Sequence, residues 1–403
     1  MKKIISFCII TMLFFCLNIT TADAEDNNII LSKPVVNNGV TTWDSIYFGN
    51  YWQYDTNSDG IANQSDSKSK IKWRVLSVNG NDAFIMADRC IENSYVLRDF
   101  DVSDKDTVVK TWENYKYRWE DSKYRNWLNS KFISDAFTSD EASAIIPVEN
   151  INEASVAELL SQPSSGGALT VDKVFVLAQK DLINTEYGFD GSYDSMSPSR
   201  VALSTPYSRH YSPESSCEFE SNIGESMYIT RTPYMSNKWV QYVFGNGSVD
   251  IYHAYCSEFN RNMGIRPVLH LDISNKNIWE YAGKVKSTDY KDVKLGKVKK
   301  IKTKKDNSIN VKSKIFQSNK VGKGRKVIRV SFGAVDNAES YQLTCCVKGS
   351  KKGVKKIEDS ATRFLLTGLK KNVKYEIKIR AVCGKKNGKF QYKGKWTKVT
   401  VKL

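Results

Sequence analysis

The sequence predicts two domains of unlike class, an α+β domain followed by an all-β sandwich. Three observations carry this reading. Short β-favouring runs, separated by turn residues and interrupted by clear helical periodicity, fill most of the chain up to about Tyr281. Strict alternation of apolar residues marks two runs nearer the end. Charge divides in the same place: the 403-residue chain has a formal charge of +16, yet Lys291 to Leu403 holds 33 Lys and Arg against 7 Asp and Glu, a net +26, while Glu25 to Tyr290 nets −11.

The first residues set the compartment. Lys2 and Lys3 precede an apolar run from Ile4 to Leu17 and then Ala22-Asp23-Ala24, the pattern of an export signal spanning 1–24 and cut after Ala24. The mature chain is expected outside the cell, secreted or associated with the envelope, and no later run is long enough for a transmembrane segment. A basic part in that setting suits anionic cell-envelope polymers rather than nucleic acid. Cys8 and Cys16 leave with the signal, and six cysteines remain without a CxxC pair.

Residues 25–42 read as a polar lead-in. The first domain is expected over 43–281 and opens with two strands, Ile46 to Tyr54 and Ile71 to Val78, around an acidic loop. In that loop Asp55, Asn57, Asp59, Ile61 through its carbonyl, Asn63 and Asp66 stand at positions one, three, five, seven, nine and twelve, with Gly60 at six. That spacing fits Ca2+ held by oxygen ligands. The same residue types also favour turns for local hydrogen-bonding reasons. Asn79-Gly80 then reverses the chain into a strand from Ala83 to Ala87.

Tyr124, Trp127, Leu128 and Phe132 recur at helical spacing behind Ser122 or Asp121 as the cap, and Thr138 with Glu141 forms a capping box for a shorter helix. Strands are expected at Val174 to Ala178, Met227 to Thr230 and Val268 to Ile273, and a hairpin from Trp239 to Tyr252 turns at Gly245-Asn246-Gly247. A Lys-rich linker covers 282–294, and the sandwich covers 295–403. There Tyr341, Leu343, Cys345 and Val347 should point inward, as should Tyr375, Ile377, Ile379 and Ala381.

Several short motifs keep the order of a known family. IYFGNYWQ, KWRVLSV, RNWLN at Arg125 to Asn129, DKVFVL at Asp172 to Leu177, MYITRTPY at Met227 to Tyr234 and GIRPVLHLD at Gly264 to Asp272 resemble a domain-of-unknown-function family. It is common in secreted and surface proteins of anaerobic Gram-positive bacteria. The resemblance implies a C-type-lectin-like fold, as in formylglycine-generating enzymes, and no established reaction. Met227 and Tyr228 replace two tryptophans usual in that family. The end of the chain resembles a fibronectin type III domain through VSFGAVDNAESYQL, TRFLLTGLKKNVKYEIKIRAV and GKWTKVTV. That likeness implies a tyrosine corner at Tyr375, with Phe332 in place of the usual first core tryptophan.

Catalytic signals are sparse. His210, His253 and His270 are scattered, and no GxSxG surrounds a serine. Cys217 and Cys256 read as a disulfide or as two thiols; formylglycine-generating enzymes carry paired cysteines too, in different surroundings. Tyr234, Trp239, Tyr242 and Tyr252 are either a face for a glycan or protein ligand or part of the core. The expectation is a non-catalytic binding protein; the alternatives are an enzyme related to formylglycine-generating enzymes and a structural spacer.

Overall fold

The structure is a computed structural model that describes residues 29–57, 62–93, 117–155, 164–193, 195–210, 226–234, 237, 239–249, 263–292, 295, 297–299, 301–306, 325–333, 335, 338, 340–350, 354–359, 362–370, 372–386 and 389–403. The chain divides after Ile30, and Leu31–Leu403 is its second unit. The second unit is mostly β and contains two separate hydrophobic cores.

The first core is built on an eight-stranded sheet. β1 (Val35–Asn37) turns through Asn38 and Gly39, at φ +48° and +74°, into β2 (Val40–Tyr51), so the expected polar lead-in contains a hairpin. Leu31 before it is buried. β3 (Ser69–Asn79) and β4 (Asp82–Ala87) form the hairpin expected at Asn79-Gly80, with Trp73 opposite Ala87. Two short strands follow, β5 (Arg89–Cys90) and β6 (Glu92–Asn93).

The expected helix begins as α1 (Lys123–Trp127), capped by Ser122 Oγ accepting from Arg125 N. It passes through a π turn at Leu128–Phe132 into α2 (Ile133–Ala136). Trp127, Leu128 and Phe132 are buried, and the Phe132 ring lies 5.4 Å from that of Tyr51, which fixes the helical segment against β2. α3 (Ser139–Ala144) has the complete Thr138/Glu141 capping box.

β7 (Ile145–Ile146), β8 (Val148–Asn150), β9 (Thr170–Asp172), β10 (Val174–Phe175), β11 (Leu203–Ser204) and α4 (Pro206–His210) come next. β12 (Tyr228–Tyr234), β13 (Trp239–Val243) and β15 (Val268–Asp272) stand where strands are expected, and β14 (Gly264–Ile265) is an additional one. Of the expected hairpin's second arm, Val249 bridges Val243, and residues 250–252 lie outside the described residues. β13, β12, β14 and β6 form a second sheet.

The first domain does not end at Tyr281. β16 (Glu280–Lys286) pairs with β2, placing Val285 opposite Trp43, and Ser287 N donates to Thr41 O at 2.8 Å. Val285 is buried, so the first residues of the expected linker are a strand of the sheet.

The second core lies between two sheets. β17 (Lys302–Asp306), β18 (Arg325–Ser331) and β21 (Arg363–Lys370) form one. β19 (Ser340–Val347), β20 (Lys355–Asp359), β22 (Lys374–Lys386), β23 (Lys389–Lys393) and β24 (Thr397–Lys402) form the other. The expected inward residues are buried, together with Phe332 and Cys383, except Val347, which ends β19 and is 43% exposed. Tyr375 Oη accepts from Lys370 N at 2.8 Å, which is the corner expected there.

Candidate functional site

Strand alternation places Lys70, Lys72 and Arg74 on one face of β3, a face that is open at Lys70 and closed at Arg74. At the open end lies a cleft of about 650 Å3. β2 supplies Tyr47, the chain after it Gln53 and Tyr54, β3 Lys70, Ile71 and Lys72, the β4 to β6 segment Asp88, Arg89 and Ile91, and β16 Glu280. Lys70 is paired with Glu280, and its ammonium lies 5.9 Å from the Tyr47 ring centre. Gln53 Nε2 donates to Ser69 O at 3.0 Å, Ser69 Oγ at 2.9 Å and Lys70 O at 3.0 Å, tying the Tyr54 wall to β3.

The inner end is fixed by an ion pair. Arg74 Nε donates to Asp88 Oδ1 at 2.7 Å, and the guanidinium stacks 4.9 Å from the Trp43 ring centre. Burial opposes the charge of Asp88, but Arg74, Arg89 and Arg266 outweigh it and hold the carboxyl below its ordinary value. The cleft therefore offers ammonium and guanidinium donors, an ionised acceptor and two half-buried phenol rings.

Arg266 and Arg200, 1% and 0% exposed, hold the surroundings in place through carbonyls and hydroxyls. Arg266 Nε donates to Ala87 O at 2.8 Å. Arg200 donates to the carbonyls of Leu182, Asp190, Ser192 and Ser195 and to that of Gly247, tying the segment before it to the turn after β13.

The sequence-predicted residues fall elsewhere. In the acidic loop, Asp66 Oδ1 accepts from Thr56 N at 2.7 Å and Asn57 N at 3.0 Å, and Oδ2 accepts from Asn63 N at 2.8 Å, so this carboxylate closes the loop from within. Asn63 Oδ1 accepts from Ser65 N and Asn57 Nδ2 donates to Ser65 Oγ. Asp59 and Ile61 lie outside the described residues. Among the described residues, no group of three or more His, Cys, Asp or Glu is gathered for a metal.

Tyr234 and Tyr242 are 4% and 8% exposed, in β12 and β13, and so belong to the core side of the two readings left open for them. The Trp239 side chain, Tyr252, Cys217 and Cys256 lie outside the described residues. Cys90, Cys345, Cys346 and Cys383 are thiols rather than disulfides. His270 Nδ1 lies 2.9 Å from Asp82 Oδ1, and its ring stacks 4.5 Å from that of Phe84.

The cleft itself was missed by sequence reading. Its one local signal is KIKWR, three cations alternating on a strand; the remaining walls come from segments far apart in the chain.

Among the described residues no helix is long and apolar enough to cross a membrane. No curated protein matches the chain. Solved structures similar to parts of it include the FN5 domain of Drosophila Lar, at 20% identity over 19% of this chain and 82% of that one, with a TM-score of 0.15. Another is the Endo-D glycoside hydrolase domain of Streptococcus pneumoniae R6, at 13% identity over 35% of this chain and 20% of that one, with a TM-score of 0.19. Scores this low carry no argument about fold or activity. Residues 81–273 match the family model described as Domain of unknown function (DUF6273), so a domain of that family spans them, and the cleft joins it to the strands that precede it.

Proposed function

We propose that this is an exported, envelope-associated binding protein whose first domain takes a glycan in the cleft between Tyr47, Tyr54, Lys72, Arg89 and Asp88. The observation that carries the reading is the composition of that cleft. Phenol rings give flat apolar walls for a sugar ring, while fixed cations and an ionised carboxylate give donors and acceptors for its hydroxyls. Hydrolysis of a glycoside needs one protonated carboxyl poised as an acid. Of the two carboxyls at the cleft, Asp88 is held ionised by its arginines and Glu280 is paired with Lys70, so neither is poised as that acid, which favours binding over hydrolysis.

The proposal keeps a C-type-lectin-like fold for the first domain and a fibronectin type III fold for the second, the latter supported by its three-stranded and five-stranded sheets and by the Tyr375 corner. The basic second domain holds the protein to anionic envelope polymer. Calcium belongs to the proposal as a stabiliser of the acidic loop. Asp55, Asn57, Asp59 and the Ile61 carbonyl would supply hard oxygen ligands there. Of the other two expected ligands, Asn63 Oδ1 accepts from Ser65 N, and the Asp66 carboxylate accepts from three backbone amides and keeps the loop closed.

A glycan array probed with the mature protein, with Tyr47→Ala and with Lys72→Ala, each at several calcium concentrations, tests the reading. Discrete glycan hits that both substitutions weaken are expected. Hits that persist unchanged in both variants would move the ligand to another surface, and an empty array would leave the cleft without its assigned ligand class.

A further inference from the structure

The second domain carries its charge in a pattern that net charge does not require. On the outer face of the five-stranded sheet, Lys374 lies directly opposite Lys402, and Lys378 directly opposite Lys398. Like charges directly opposite each other on antiparallel strands are destabilising. Within β22 and β24 the acidic residue is Glu376, between the two rows: it pairs with Lys378 at 2.9 Å, and Lys378, Lys398 and Lys348 together hold its carboxyl below the ordinary value against desolvation. Beyond the rows, the Arg380 guanidinium lies 4.4 Å over the Trp396 ring and its Nη2 donates to Gln342 Oε1 at 2.7 Å. Lys374, Lys398, Lys402 and Trp396 are exposed, while the opposite face of β22 packs Tyr375, Ile377 and Ile379 into the core.

We infer that this face is a docking surface for a linear polymer of polyol or sugar units joined by phosphodiesters. The assignment rests on the reading of the second domain as the part that holds envelope polymer, and adds where and how it does so. Lysines paired across neighbouring strands, with Cβ atoms about 5 Å apart, can bring two ammonium groups to one tetrahedral phosphate, Lys378 exchanging Glu376 for it in the second row. Arginine's planar fork suits carboxylate and phosphate alike, whereas the lysine ammonium acts as a compact point charge, so the spacing of the charges rather than the shape of each contact selects the polymer. The two lysine rows are four residues apart, about 13 Å along the strands, which suits an extended chain with repeating charge. Nucleic acid is disfavoured because the exposed indole already carries a guanidinium on its ring, where a base would stack.

The test uses the mature chain against poly(glycerol phosphate), with hyaluronate and double-stranded DNA as comparison polymers. Two variants lose equal charge: Lys374, Lys378, Lys398 and Lys402 all to Gln, and, as control, the exposed Lys297, Lys299, Lys302 and Lys304 all to Gln. The first should bind poly(glycerol phosphate) about tenfold or more weakly, and the control close to wild type. Without polymer the first variant should keep the wild-type Tm or exceed it, because the cross-strand repulsion is gone. Equal losses in both variants would overturn the face while leaving general charge attraction intact. No binding by the wild type would overturn both readings. Tighter binding of hyaluronate or DNA would overturn the phosphodiester assignment, and a lowered Tm in the first variant would make its lysines structural.

Discussion

Arg125 Nε donates to Asp172 Oδ1 at 2.6 Å, and the Asp172 side chain is completely buried. Its other oxygen accepts from Trp119 Nε1 at 3.0 Å, Asn150 Nδ2 at 2.9 Å and Thr170 Oγ1 at 2.7 Å. One carboxylate thus joins α1, β8 and β9. Asp172→Ala should destabilise the first domain by about 3 to 5 kcal/mol, since it strands several buried donors at once. Urea unfolding measures this, and a loss below about 1 kcal/mol would mean that the network is not cooperative.

Glu92 predicts a pH dependence. It is 4% exposed, its Oε2 accepts from Tyr51 Oη at 3.0 Å, and burial pushes its carboxyl up to about 7. A raised folded-state pKa means that the folded protein keeps this proton where the unfolded chain releases it. The contribution is therefore complete below about pH 4.5 and is lost as pH rises through about 7. Glu92→Gln removes the penalty for ionisation. It should be more stable than wild type at pH 8 by roughly 3 kcal/mol, with a smaller or reversed difference at pH 4. Stability curves that run parallel across that range would contradict the assignment.

The acidic loop separates two roles. Asp66→Ala removes the acceptor of three backbone amides and should cost about 2 kcal/mol with or without calcium. The double change Asp55→Ala and Asp59→Ala should instead abolish only the rise in Tm that calcium gives by binding the folded state. Calorimetry with calcium and with chelator distinguishes them. A wild-type Tm indifferent to both would remove the metal from the account.

Tyr375→Phe leaves the Lys370 amide without its acceptor and should destabilise the second domain by about 1 to 3 kcal/mol. Hydrogen exchange at Lys370 provides the local readout, with faster exchange expected in the variant. Unchanged protection would show that the corner is dispensable.

Local chemistry was legible from sequence. The Ser122 cap, the Thr138/Glu141 box and the Gly80 turn each depend on residues within a few positions, and each formed as read. Long-range pairing was not. Nothing near Glu280 announces that β16 returns to β2, and so neither the domain boundary nor the far wall of the cleft could be read.

The burial of polar residues was not legible either. Arg200 and Arg266 resemble surface charges in the sequence, yet their partners are carbonyls and hydroxyls of distant segments. Gly264, beside Arg266 in GIRPVL, is needed because a Cβ there would meet Cys90 Sγ at 2.6 Å. Tyr234 and Tyr242 could be read as a ligand face or as core, and β12 and β13 bury both, whereas the rings at the cleft are Tyr47 and Tyr54.

The central claim is that the cleft beside β3 binds a sugar through Tyr47. The most direct measurement is the Kd of the strongest array glycan for wild type and for Tyr47→Ala, by titration calorimetry at matched Tm. Loss of a stacking wall worth roughly 1.4 kcal/mol predicts about a tenfold weaker Kd in the variant. An unchanged Kd, with the variant folded, would contradict the claim.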